Sequence, residues 1–251
     1  MQNELDYQGF PSILSKKYWF EASKQFKDVR MITIAALIVA LRVVVKLIKI
    51  SIASGVGISL DAYVNSLGSL IYGPVVGLAV GAISDVLGML VTGKMAEYFL
   101  PFILVEMASS FIFGLFFWKR KIGLSRALFA KFSVNLVCNI VMTSLFMKWM
   151  KYVFSGPAAA EAYKVINGVR IAKNLLLFPL EAMIIVFVLS ATVPILTRLK
   201  IVDRHYTFVD KPSNKRLVTE IALFTALSVA VVALYLLFVD GFKFDFKITF
   251  N

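Results

Sequence analysis

Charged and amide side chains recur inside stretches of this sequence that are otherwise apolar. Arg42 interrupts "IAALIVALRVVVKL", and Glu106 stands in "FILVEMASS". Asp85 follows Gly73, Gly77 and Gly81 at the same four-residue spacing in "YGPVVGLAVGAISDVLG". Asn135 and Asn139 lie one helical turn apart, and Glu181 lies further along. In "RIAKN", Arg170 and Asn174 are four residues apart and share a helix face, with Lys173 between them. A charge at bilayer depth costs about 2.5–3.5 kcal/mol on insertion scales, so each such residue is a candidate functional group. The competing role is structural, with these groups pairing to one another across helices. The chemistry they suggest is recognition: a polar pocket near the outer surface that receives an anion with hydrogen-bonding edges.

Catalytic constellations are not evident. Cys138 lies in the middle of an apolar run, so no disulfide or thiolate metal site is available, and His205 lies in a basic linker. "GMLVTGKM" (88–95) begins like a phosphate-binding loop, but Met95 stands where the magnesium-binding Ser or Thr belongs. Neither enzyme activity nor a metal or cofactor is expected.

The elements that must position these groups are membrane helices. Hydrophobic residues make up 59% of the chain and charged residues 17%, with mean hydropathy +0.82. Soluble domains average about 45–50% apolar and about 25% charged, so the chain is an integral membrane protein. Apolar runs and breakers predict spans at Met31 to Ile50, Leu60 to Tyr72, Pro74 to Thr92, a fourth ending at Trp118, Ala127 to Phe154, and Val169 to Leu199. The second is too short to cross fully unless neighbours shelter its ends. The net charge of +12 is concentrated before the first span, at 119–126, and at 198–216. That is a positive-inside pattern, placing the amino terminus and both basic loops in the cytoplasm of a plasma-membrane protein; it argues against nucleic acid as a partner. The expected organisation is a cytoplasmic arm (1–30), a six-helix bundle (31–198), a basic cytoplasmic linker (199–216) and an additional carboxy-terminal transmembrane helix within 217–251.

Gly73, Gly77 and Gly81 form a stripe of small residues that lets a neighbouring helix approach closely, with Asp85 one turn beyond. The last span resembles the first: "EIALFTALSVAV" aligns with "IAALIVALRVVV" without gaps, and Ala222 and Ala226 repeat the spacing of Ala36 and Ala40. This suggests the opening of a second, truncated copy of the bundle; chance similarity between two Ala/Val/Leu-rich helices is the alternative.

Taken in order, "IAALIVALRVV", "GPVVGLAVGAISDVLG", "YFLPFILVE" and "VRIAKNLLLFPLE" resemble the substrate-binding S component of energy-coupling factor (ECF) vitamin transporters, in particular the folate-type branch. The resemblance covers about residues 30–198. It implies an all-α six-helix S-component bundle that binds a vitamin, folate or a reduced folate, from outside. It further implies docking on a membrane coupling subunit driven by two ABC ATPases, with Ala36 and Ala40 on the docking face. For a pterin with a glutamate tail, Tyr98, Phe99 and Phe102 are candidates to stack on the ring. Asn174, Asn139 and the carboxylates Asp85 and Glu106 are candidates to read its edge, and Arg42, Arg170 and Lys173 to take the tail carboxylates. One departure stands out: "GVGISLD" precedes the second helix where that branch usually carries an arginine. An S component for another metabolite, a stand-alone secondary transporter and a membrane scaffold remain as alternatives.

Overall fold

The computed structural model describes residues 12–48, 50–53, 56–58, 60–95, 98–163, 168–203, 207–209 and 213–238; His205 and 239–251 lie outside them. The chain opens with α1 (Lys16–Lys24), capped by Ser15, whose hydroxyl accepts from the Tyr18 amide. The amino-terminal arm therefore holds a helix where sequence reading expected only a polar tail. One face of α1 drives this: Tyr18 and Ala22 are fully buried beside Trp118, with the Tyr18 and Trp118 rings edge-to-face at 5.1 Å. Burial pushes the Tyr18 phenol up to about 12.

The first span is α2 (Val29–Leu47), with Asp28 as its amino-terminal cap. The uncharged connection after it is an antiparallel ribbon of β1 (Ile50–Ala53) and β2 (Val56–Ile58). Then come α3 (Asp61–Val91) and, after a short 3-10 turn, α4 (Ile103–Phe117). A basic turn carries β3 (Lys121–Ile122) into α5 (Leu124–Ser133), a π-helical segment (Val134–Met142) and α6 (Thr143–Ser155), which together form one rod. The short α7 (Pro157–Ala162) precedes α8 (Gly168–Arg198). A strand β4 (Phe208–Val209), pairing in parallel with β3, precedes α9 (Asn214–Phe238).

Two of the expected spans are limbs of α3. At Gly73 φ is 81° and ψ −177°, a backbone that glycine adopts without the clash a Cβ would bring, and Pro74 opens the next limb with no N–H to leave unpaired. The limbs fold back on each other. Asn65 of the first accepts a hydrogen bond from Ser110 of α4, while Gly77 of the second lies against the Ser110 backbone. Twelve residues of continuous helix would separate those positions by about 18 Å. Gly81 is where the small-residue stripe matters most: a Cβ there would stand 2.7 Å from the Glu106 carbonyl oxygen. The limb 61–72 is sheltered along its length, and Asn65, Ser66 and Ser69 have no exposed surface.

By length and composition, Asp61–Val91, Leu100–Phe117, Leu124–Ser155 and Phe178–Arg198 are long and apolar enough to cross a membrane. α2 is of similar length but carries Arg30, Arg42 and Lys46. The bundle core gathers Phe113 and Phe117, Ile122, Ala127, Ile185 and Leu189. Large apolar side chains such as Leu37, Ile83 and Phe187 point outward and exposed, as helices solvated by lipid allow. α9 packs differently from α2 despite their sequence likeness: it buries Phe224 against Phe129 and Phe178 on α5 and α8. The protein is an all-α integral membrane protein, a six-limbed bundle with α9 added.

Candidate functional site

Arg42 is the organising residue of the first half of the site. It sits late on α2, has no exposed surface, and meets the start of both α3 and α4. Its Nε and Nη2 donate to the two oxygens of Asp61 at 2.8 and 2.7 Å, a bidentate pair. Nη2 also donates to Glu106 at 2.6 Å, and Nη1 to the Ser110 hydroxyl at 3.3 Å. Four of the five N–H groups of a guanidinium are thereby used. Ser110 passes the chain of bonds on to Asn65 at 2.8 Å, and Ser69 donates to the same amide oxygen.

One turn further along α2, Lys46 lies 3.6 Å from Asp85 and 3.7 Å from Glu106. Asp85 accepts from the Tyr98 hydroxyl at 2.8 Å, so its position one turn past the glycine stripe ties down the loop before α4. Burial, and then the Asp85 carboxylate, raise the Tyr98 phenol above its ordinary value, which keeps the O–H as the donor. Two cations, Arg42 and Lys46, thus face three carboxylates, Asp61, Asp85 and Glu106.

The second half is built on amides. Asn139 donates to Asn135 and to Asn174 Oδ1, each at 3.1 Å, and Asn135 donates to the Asn174 carbonyl at 2.6 Å. Asn135 and Asn139 belong to the π-helical segment, a distortion frequent at functional sites because it rotates side chains out of the regular register. Thr143 Oγ1 donates to the Cys138 carbonyl at 2.8 Å, a second bond beside the one from the Thr143 amide.

Toward the end of the bundle away from the basic loops lies an aromatic cluster. Phe99 meets Phe102, Trp149 and Phe154 edge-to-face at 5.9, 5.3 and 6.0 Å, and Phe102 meets Phe146 at 6.2 Å.

The structure brings Arg42, Asp85, Tyr98 and Glu106 into one network, Asn139 and Asn174 into a second, and Phe99 and Phe102 into the aromatic cluster. Arg170 and Lys173 sit in the first turns of α8, with side chains outside the described part of the structure. Glu181 pairs with Lys131 at 3.2 Å, a contact between helices. Asp61, the acid that closes the departing segment "GVGISLD", is the counter-ion of Arg42. Lys46, Asn65, Ser110 and Trp149 were missed. Lys46 was findable at four residues from Arg42, on the same helix face; Asn65 and Ser110 carry no sequence signal, because an isolated Asn or Ser in a membrane helix is common.

Ala36 and Ala40 are exposed on the outer face of α2, while Ala35, Ile38 and Val39 are buried. The phosphate-loop-like "GMLVTGKM" is the carboxy-terminal end of α3, where Gly93 (φ 70°) and Lys94 close the last turn onto Leu90 and Met89. It is not a strand-to-helix loop.

The chain is similar to known proteins. A protein from Clostridium novyi called folate transporter FolT is 31% identical over 120 residues, 48% of this chain. The chain spans 64% of that relative's length. A folate transporter FolT from Leuconostoc mesenteroides subsp. mesenteroides is 28% identical over 165 residues, 65% of this chain and 86% of the relative. Among solved structures, the crystal structure of FolT bound with folic acid matches with TM-score 0.49 and 26% identity, covering 62% of this chain and 89% of that one. The model of the family described as ECF transporter, substrate-specific component matches residues 30–196, which take in the ionic network, the amide triad and the aromatic cluster alike. On that match the chain belongs to the substrate-specific components of ECF transporters.

Proposed function

We propose that this chain is the folate-binding subunit of an ECF-type ABC importer, acting without chemistry of its own. Its similarity to folate transporters supports the reading, and one feature of the geometry carries it further. In the Asn135–Asn139–Asn174 triad neutral amides join the rod to α8, and Asn139 lies seven residues, about 10 Å along the helix, before Phe146. A flat heterocycle with a hydrogen-bonding edge suits amides on one side and rings on the other. Asn139, Asn174, Phe99 and Phe102 are the proposed contacts for the ring, and Asp85, Glu106 and Tyr98 form a polar wall. Arg42 spends its donors on Asp61, Glu106 and Ser110, so in this reading it shapes that wall, and Arg170 and Lys173 are the proposed partners of the glutamate tail. Purified full chain is expected to bind folate or a reduced folate tightly. Tight binding of a non-pterin vitamin, with none of folate, would make it an S component for another metabolite.

Transport is proposed to require a membrane coupling subunit and two ABC ATPases, with the amino terminus and basic loops on the cytoplasmic side. The exposed Ala36 and Ala40 would meet the coupling subunit backbone-to-backbone. Ala36→Trp with Ala40→Trp is expected to retain vitamin binding while abolishing uptake and co-purification with that subunit. The same pair of changes at Ala222 and Ala226 is expected to leave uptake near wild type. Accumulation of folate by the chain reconstituted alone on an ion gradient would instead point to a secondary transporter.

A further inference from the structure

α1 precedes the part of the chain that matches the family, which begins at residue 30, and supplies none of the proposed vitamin contacts. One face holds it to the bundle: Tyr18 and Ala22 are buried with Trp118, and Leu115 of α4 packs against them. The rest of its surface combines two chemistries. Trp19 and Phe20 point outward, Phe20 at 60% exposure, with Leu14 and Phe26 exposed before and after the helix. Lys16, Lys17, Lys24 and Lys27 are exposed among these apolar groups.

These lysines are not spent on the fold. The ammonium groups of Lys16, Lys17 and Lys27 have no hydrogen-bond or ion-pair partner among the described residues. Lys24 makes only surface contacts, 3.7 Å from Glu21 and 4.5 Å over the Phe20 ring. Besides Glu21, the other acid nearby is Asp28, whose carboxylate accepts from the Arg30 amide at the start of α2. Four lysines against these two acids leave the surface basic.

The depth of the helix indicates what it meets. Trp19 stacks on Phe111 of α4, with ring centroids 5.9 Å apart and planes within 17°. Phe111 lies six residues, about 9 Å along the helix, before Phe117, where α4 ends. α4 belongs to a segment long and apolar enough to cross a membrane. α1 therefore lies beside the last turns of a span rather than beyond its end. At that level a tryptophan ring sits among glycerol and upper acyl chain, while a lysine stem lets its ammonium reach the phosphates. An acidic protein surface would suit the lysines, but Trp19 is held against the flank of a span, where lipid is the solvent.

We propose that α1 is an interfacial anchor that binds the anionic phospholipids of the leaflet at the basic end of the bundle. Its rings lie in the glycerol and upper acyl layer, and Lys16, Lys17, Lys24 and Lys27 meet the phosphates. The proposal does not depend on which vitamin the chain carries.

The test uses the full chain in nanodiscs that mix phosphatidylcholine with phosphatidylglycerol, one or the other carrying a photoactivatable acyl chain. On unmodified protein, which requires no variant to fold, the phosphatidylglycerol probe should crosslink to 13–27 about threefold or more over the phosphatidylcholine probe. Salt at about 1 M should remove most of that preference by screening. Replacing all four lysines, as K16Q, K17Q, K24Q and K27Q together, should bring the ratio near one. K148Q with K151Q, on α6 at the other end of the bundle, should leave it unchanged. The proposal is overturned by equal crosslinking of both probes to wild-type 13–27, or by a preference that survives loss of the four lysines. It is also overturned if lipid crosslinks are absent from 13–27, which would leave α1 to a protein partner.

Discussion

The two polar halves of this bundle solve the same problem in opposite ways. Around α2, α3 and α4, charged groups neutralise one another: Arg42 is gripped by Asp61 and Glu106, and Lys46 bridges Glu106 and Asp85. Across the bundle, the π-helical segment and α8 are joined by neutral amides. A buried charge without a partner costs several kcal/mol, whereas an amide is satisfied by one or two bonds at far lower risk. The charged half therefore closes on itself and the amide half can remain adaptable. Two residues that look equally unusual in sequence, Arg42 and Asn139, are in the proposed reading a lock and a reader.

Removing the lock should have the largest effect. Arg42→Ala leaves Asp61 and Glu106 facing each other without their guanidinium, and breaking a buried pair in this way typically costs about 3–5 kcal/mol. Thermal unfolding in detergent should show a large loss of stability, with Arg42→Lys intermediate because an ammonium cannot grip Asp61 bidentately. If Arg42→Ala unfolded like wild type and lost only folate affinity, the roles of the two halves would be reversed.

Asn139→Ala and Asn174→Ala should behave in the contrary manner. Each removes neutral hydrogen bonds worth about 1 kcal/mol to the fold. Yet each is expected to weaken folate binding by about tenfold or more in titration calorimetry, since a ligand edge then loses its partner. A drop in stability that accounted for all the lost binding would make the triad mere bundle glue. Tyr98→Phe should have the smallest effect, under about 1 kcal/mol in stability, because it deletes one hydroxyl from a part-buried pair and leaves Lys46 to hold Asp85. A larger loss would mean that the lock extends to the loop before α4.

Much of the fold was legible in composition and punctuation. Apolar runs of span length located the helices to within a few residues, since a helix is the cheapest way to satisfy a backbone in lipid. Pro74 marked the break in α3, because proline cannot continue a helix without losing a bond. Gly77 and Gly81 announced the close approach of α4, although that α4 was the partner appeared only in three dimensions. The buried contacts of α1 were not legible, because Tyr18 and Ala22 look unremarkable until Trp118, a hundred residues away, is beside them.

For the site, sequence determined which residues are costly in a membrane, and hence that Arg42, Asp85, Glu106 and the asparagines needed partners or a purpose. Tertiary structure alone decided which of the two each received. Arg42 and Asp61 are nineteen residues apart, Asn139 and Asn174 thirty-five, and Arg42 and Ser110 sixty-eight. Pairing energy depends on separation in space, with hydrogen bonds reaching only about 3 Å. Which charges neutralise one another and which amides join helices is therefore fixed only once the helices are packed.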